Sequence, residues 1–95
     1  MDQNMIRKLQ KMQEEIQQKS ELFMEKEFTL TKQGVTVIAK GSKKIVSIKI
    51  SDTDLIDPED PEILEDVLSL VINELFIMID DEQEEMMPNI PGLGF

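Results

Sequence analysis

The stretch Val35-Thr36-Val37-Ile38-Ala39-Lys40-Gly41-Ser42-Lys43-Lys44-Ile45-Val46-Ser47-Ile48-Lys49-Ile50 decides the fold. Val35, Val37 and Ala39 alternate with Thr36, Ile38 and Lys40, and Val46, Ile48 and Ile50 alternate with Ser47 and Lys49. A period of two in β-branched residues is the pattern of strands, whose side chains point to opposite faces in turn. Between the two runs, Lys40-Gly41-Ser42-Lys43 reads as a hairpin turn in which Gly41 supplies a positive φ. Upstream, Phe28 and Leu30 alternate with polar residues until Gly34 breaks the run. Three short strands with tight connections predict an antiparallel meander, apolar on one face and wet on the other.

Outward from the meander, both flanks change to a helical period. Over residues 4–25, Met5, Leu9, Met12, Ile16 and Phe23 recur at steps of four, three, four and seven, among Gln, Glu, Lys and Arg. That is a narrow stripe of the coiled-coil kind, and such a helix wants a partner helix. Residues 52–61 form an acidic loop in which Asp60 is a candidate N-cap ahead of Pro61. Residues 61–86 read as a second long helix, with twelve apolar residues among the seventeen from Ile63 to Ile79. Glu62, Glu65, Asp66, Ser69, Asn73 and Asp80 form its one polar stripe. So wide an apolar arc should be covered on two sides, most simply by the same helix of a second copy. Val67, Leu68, Val71, Ile72, Leu75 and Ile79 are the candidate interface residues. The expected architecture is α+β: long N-terminal helix, three-stranded antiparallel meander, long C-terminal helix. Residues 1–87 form one domain, and residues 88–95, with Pro88, Pro91, Gly92 and Gly94, a flexible tail.

At 95 residues the chain is short enough for association to be a common source of stability. It has no Cys and no His, so disulfides, thiolate or imidazole catalysis and the usual zinc ligands are not expected. No apolar leader core follows Met1-Asp2-Gln3-Asn4, and the Val67–Ile79 stretch is too interrupted to span a bilayer. The expectation is an intracellular protein without a membrane partner. Net charge is −10, unevenly placed. Residues 1–51 carry ten positive and six negative charges, a net of +4; residues 52–95 carry fourteen negative and none positive. Solubility is one explanation. The sharper one is that the N-terminal half meets a polyanion while the acidic half stays remote.

Arg7, Lys8 and Lys11 span about 100° of helical arc opposite the Met5/Leu9/Met12 stripe, though Glu14 and Glu15 dilute that face one turn later. They suit phosphate contacts, which need charge and reach rather than a motif; a merely solvated face is the alternative. Lys40, Lys43 and Lys44 at the hairpin tip suit the same role, or guard a sheet edge against aggregation. Glu15 and Lys19 read as helix support. No aromatic residue interleaves these cations, which argues against stacking on single-stranded bases. The acidic loop lacks the central Gly and twelfth-position Glu of a calcium-binding hand, so it reads as a solvated helix-capping loop. Its carboxylates are too polar in setting for acid–base catalysis, and no glycine-rich phosphate loop is present. No catalytic residue, cofactor, metal or small-molecule substrate is expected.

Several stretches resemble the YbaB/EbfC family of bacterial nucleoid-associated proteins. Lys11-Met12-Gln13-Glu14-Glu15-Ile16 is similar to its Met- and Gln-rich first helix. Val46-Ser47-Ile48-Lys49-Ile50 before an acidic loop is similar to its third strand, and Ile63-Leu64-Glu65-Asp66-Val67 with Asn73 to the start of its last helix. Pro91-Gly92-Leu93-Gly94-Phe95 resembles its ending. The resemblance implies a tweezer-like homodimer, with sheets and last helices packed together and first helices projecting as arms. It also implies double-stranded DNA as partner, a nucleoid location in the cytoplasm, and no catalysis. Relatives often carry Lys or Arg late in the last helix, where this chain has Asp80-Asp81-Glu82-Gln83-Glu84-Glu85. The alternative is an acidic dimeric chaperone or adaptor that binds another protein.

Overall fold

The computed structural model of the chain describes residues 2–86. Helix α1 runs over Gln3–Glu25, strands β1, β2 and β3 over Glu27–Lys32, Val35–Lys40 and Ile45–Ile50, and helix α2 over Glu62–Met86. One 3-10 turn, Thr53–Leu55, interrupts the acidic loop. This is the α+β order that the sequence predicts. The tail expected at 88–95 lies outside the described residues.

The sheet has the order β1-β2-β3, antiparallel throughout. Gln33 and Gly34 make the first turn, with φ of 50° and 83°. Two successive positive φ angles match the right-handed twist of a two-residue hairpin. Paired residues share a face, so Phe28, Leu30, Val35, Val37, Ala39, Ile45, Ile48 and Ile50 fall on one side. The other side is mostly polar, with the Thr31 and Thr36 hydroxyls 2.8 Å apart. Between Ile38 and Ala39 the pairing with β3 slips, leaving Val46 as an extra residue.

Helix α2 packs across β1 and β2. Its Val67, Val71, Leu75 and Ile79 recur every four residues and are buried against Phe28, Val35, Val37 and Ala39. These four were expected to meet a second copy's helix. They line the chain's own core instead, because the arc they form is the one facing the chain's own sheet. Leu68 and Ile72 are partly buried at the margin of that core. The first helical bond of α2 runs from the Glu65 N–H to the Pro61 carbonyl at 3.1 Å, one residue later than a cap at Asp60 implies. In the loop it is Asp52 and Asp57 whose side chains accept from backbone N–H groups, of Asp54 and Glu59.

Cover by α2 stops short of β3. Ile45, Val46 and Ile48 are 39%, 48% and 45% exposed, although Ile45 and Ile48 lie on the core side of the sheet. The expectation of one covered apolar face holds for β1 and β2 and fails at β3. The molecule is a narrow rod, 70 × 23 × 14 Å.

Candidate nucleic-acid interface

Helix α1 forms an arm. Asp2 caps it, its side chain accepting from the Asn4 N–H at 3.2 Å. Phe23, in its last turn, is its one buried residue. At 1.5 Å per residue the helix before Phe23 is about 30 Å long and rests on no core of its own. Arg7, Lys8 and Lys11 are exposed on this arm and make no ion pair among the described residues. The opposite stripe is bare too: Met5, Leu9, Met12 and Ile16 are 59%, 48%, 51% and 37% exposed.

The root of the arm is held by the β2–β3 hairpin. The Gly41 N–H donates to the Lys26 carbonyl at 2.9 Å, and the Ser42 N–H to the Met24 carbonyl at 3.3 Å. The Phe23 and Phe28 rings pack with centroids 5.5 Å apart, tilted by 56°. Gly41 is not the positive-φ residue of this turn; Lys43 is, at 68°. What the glycine provides is close approach. A Cβ on Gly41 would lie 2.0 Å from the Phe23 carbonyl oxygen. The sequence marks the glycine but not its neighbour, which comes from eighteen positions upstream.

The hairpin cations are placed differently from the arm cations. Lys43 pairs with Asp80 at 2.7 Å and Lys40 with Glu25 at 2.8 Å, whereas Lys44 has no carboxylate partner among the described residues. Lys26 pairs with Glu82 at 2.8 Å, its ammonium also 5.0 Å from the Phe28 ring centre. Lys32 pairs with Glu74. The hydrogen bond from Lys40, with its charge, holds the Glu25 carboxyl below its usual 4.5, and the same bond holds Lys40 above its usual 10.5. The acidic half therefore does not stay remote: three of its carboxylates, Glu74, Asp80 and Glu82, close on lysines of the basic half. Asp80 and Glu82 reach the arm's root, Glu74 reaches the far end of β1, and none of the three pairs with a cation of the outer turns. Sequence reasoning missed Lys26, Lys32 and Glu74 as members of this network. Their spacing along the chain gives no sign of the pairing, which only packing α2 on the sheet brings about.

Among the described residues, no group of three or more His, Cys, Asp or Glu is placed to hold a metal ion, and no helix is long and apolar enough to cross a membrane.

A meander carrying one long helix on its face, and a second as a projecting arm whose outer turns hold Arg7, Lys8 and Lys11, defines a small α+β protein that presents cations at a distance from its core. The chain matches the model of the YbaB/EbfC DNA-binding family over residues 1–93. It is 41% identical over 88 residues to a nucleoid-associated protein of Mycoplasmopsis pulmonis, covering 93% of this chain and 87% of that one. It is 42% identical over 82 residues to a nucleoid-associated protein of Metamycoplasma arthritidis, covering 86% and 85%. With a nucleoid-associated protein of Clostridium novyi it shares 36% identity over 91 residues, covering 94% and 79%. No solved structure matches. The chain belongs to the YbaB/EbfC family of nucleoid-associated DNA-binding proteins.

Proposed function

We propose that this protein binds double-stranded DNA as a homodimer in the nucleoid, gripping phosphates with Arg7, Lys8 and Lys11 of the two projecting arms. The observation that carries the reading is the state of these three side chains. They are exposed, share one helix face, and have no carboxylate partner among the described residues, while the lysines nearer the core are mostly paired. Lys44 adds one unpaired charge at the hairpin. Phosphate contacts of this kind carry little sequence information, so the reading is of a weakly selective binder.

Dimerisation is supported by β3. It is an edge strand with a free ladder of N–H and C=O groups and bare apolar side chains, a combination that invites a second chain. Ile72 and Phe76 of α2, partly buried, offer further apolar surface to a second copy. The interface expected at α2 is accordingly proposed at β3, Leu68, Ile72 and Phe76. The buried Val67, Val71, Leu75 and Ile79 support it from below. A twofold pair would present two arms, one on each side of a duplex.

The bare stripe of α1 favours a second reading, in which the arms clasp an apolar protein segment as a chaperone or adaptor would. A mobility shift with random-sequence duplex at about 50 mM and 200 mM salt separates the two. Six arm contacts predict a slope near −5 in log K against log salt, a loss of about a thousandfold between those conditions. Binding indifferent to salt, or none at low salt, counts against the DNA reading and leaves the second.

A further inference from the structure

The paired lysines mark a boundary in the proposed interface. Lys26 stands at the end of the arm and Lys43 at the hairpin that holds it; Glu82 and Asp80 come from the last turns of α2. All four side chains are partly in water, between 41% and 55% exposed, so neither pair is locked away by burial. A phosphate reaching the root of the arm would find its cations already neutralised at 2.8 and 2.7 Å, and would meet Asp81, Glu84 and Glu85 beside them. In the outer turns no carboxylate among the described residues closes on Arg7, Lys8 or Lys11, and the nearest acids on that face, Glu14 and Glu15, stand one turn further in.

We propose that Asp80 and Glu82 are a built-in competitor for phosphate, occupying Lys43 and Lys26 so that duplex is held by the outer arm and kept from its root. This rests on the DNA-binding reading above and deepens it. The carboxylates stand where phosphate oxygens would, and a charged pair in water exchanges readily for another anion. Each lysine held this way contributes no released counterion on binding, so it is missing from the salt dependence. The device lowers affinity and flattens the salt slope without removing a single cation from the surface.

The test compares two doubly substituted proteins that lose the same charge from the same helix end. Asp80→Asn with Glu82→Gln frees Lys43 and Lys26. Glu84→Gln with Glu85→Gln removes two exposed acids that pair with no lysine among the described residues. Circular dichroism checks that both stay folded. Binding to random duplex is then measured from about 50 to 300 mM salt. The first protein should bind on the order of tenfold more tightly at about 100 mM salt, with a slope steeper by about one for each lysine that gains a phosphate. The second should bind slightly more tightly with an unchanged slope. Equal changes in both overturn the proposal and reduce the acids to bulk charge, as does no change in either. If no form binds duplex at any salt, the DNA reading falls and takes the inference with it. Amine-selective labelling of the free proteins gives a second readout. Lys26 and Lys43 should react more slowly than Lys19 and Lys44 in the native chain, and catch up only in the first variant. Equal rates in the native chain overturn the pairing itself.

Discussion

The two helices of this protein follow the same rule and end in different places. Each has an apolar stripe at helical spacing, yet α2 buries Val67, Val71, Leu75 and Ile79 whereas α1 buries Phe23 alone. The difference lies in what stands opposite. Helix α2 follows the meander through a loop long enough to turn it back across β1 and β2. Helix α1 precedes the meander, meets the sheet at its final turn, shares an open cleft with Gln83 and Met86 of α2 at Met12 and Ile16, and beyond that runs off into solvent. A stripe records that a helix face needs cover and is silent on which surface supplies it. The largest expected effect probes this contrast. Leu75 is fully buried, and Leu75→Ala should cost about 2–5 kcal/mol in chemical denaturation. Leu75→Asp should leave no cooperative transition, because the charge enters a core with no partner for it. Leu9→Ala, on the arm, should shift the transition by well under 1 kcal/mol. A folded, merely monomeric Leu75→Asp protein would contradict the placement of α2.

The converse experiment leaves the body alone and removes the arm's function. Replacing Arg7, Lys8 and Lys11 together by Glu reverses three charges on an exposed face without an ion pair among the described residues. Duplex binding should fall at least about a hundredfold at low salt, with the thermal midpoint of the body unmoved. Retained binding would assign the contacts elsewhere, with Lys19, Lys44 and Lys49 the next cations without an ion pair among the described residues to examine.

Strand β3 stands between these extremes, part of the body by hydrogen bonding and part of the surface by exposure. Ile48→Lys should yield a folded monomer by sedimentation, with dissociation of the dimer shifted upward by tenfold or more. An unchanged mass would move the interface off β3. The strand also shows what was legible in the sequence. The alternation of Val46, Ile48 and Ile50 with Ser47 and Lys49 announced a strand with an apolar face, although the bulge makes Val46 the extra residue and puts Ile45 in register with Ala39; the meander, both helices and the acidic loop followed from equally local patterns. Which part of the sheet α2 would cover was not legible, because the crossing position of the helix depends on packing between residues as far apart in sequence as Phe28 and Ile79. For the same reason the apolar arc of α2 reads, from the sequence alone, as a surface for a second copy. The exposure of Arg7, Lys8 and Lys11 was legible from the helical pattern alone, and the pairing of the other lysines was not, since each partner comes from a distant element.

Gly41 carries the comparison to the joint between arm and body. The sequence suggested a turn glycine chosen for its φ, yet Lys43 takes the positive φ and Gly41 instead lets the end of α1 lie against the hairpin. An added methyl must push the Phe23 carbonyl away, loosening the bonds from Gly41 to Lys26 and from Ser42 to Met24. Gly41→Ala should cost about 1–3 kcal/mol. Amide exchange at Gly41 and Ser42 should accelerate more than at Val37. A conformationally motivated glycine would predict no such local loosening, and Lys43→Gly would then fail to stabilise the turn, whereas relief of the positive φ should stabilise it by a few tenths of a kcal/mol.

The smallest expected effect concerns the same joint and depends on pH. Glu25 and Lys40 tie the last turn of α1 to the end of β2. The carboxyl of Glu25 is lowered from 4.5 by the hydrogen bond and charge of Lys40, so its contribution is present above the unfolded value and lost as pH falls through the lower folded one. Lys40 is raised from 10.5 by the same bond, so its contribution is complete below that value and lost as pH rises through the higher folded one. Between those limits the pair is constant. Glu25 is 73% exposed and Lys40 30%, and screening by the water around them keeps the effect small. Comparing the native chain with Glu25→Gln should therefore give a slight, flat difference in thermal midpoint from about pH 6 to pH 9 that closes at acid pH. A gap that survived protonation of the carboxyl would mean that Glu25 supports the joint by packing, and that the arm is anchored by shape alone.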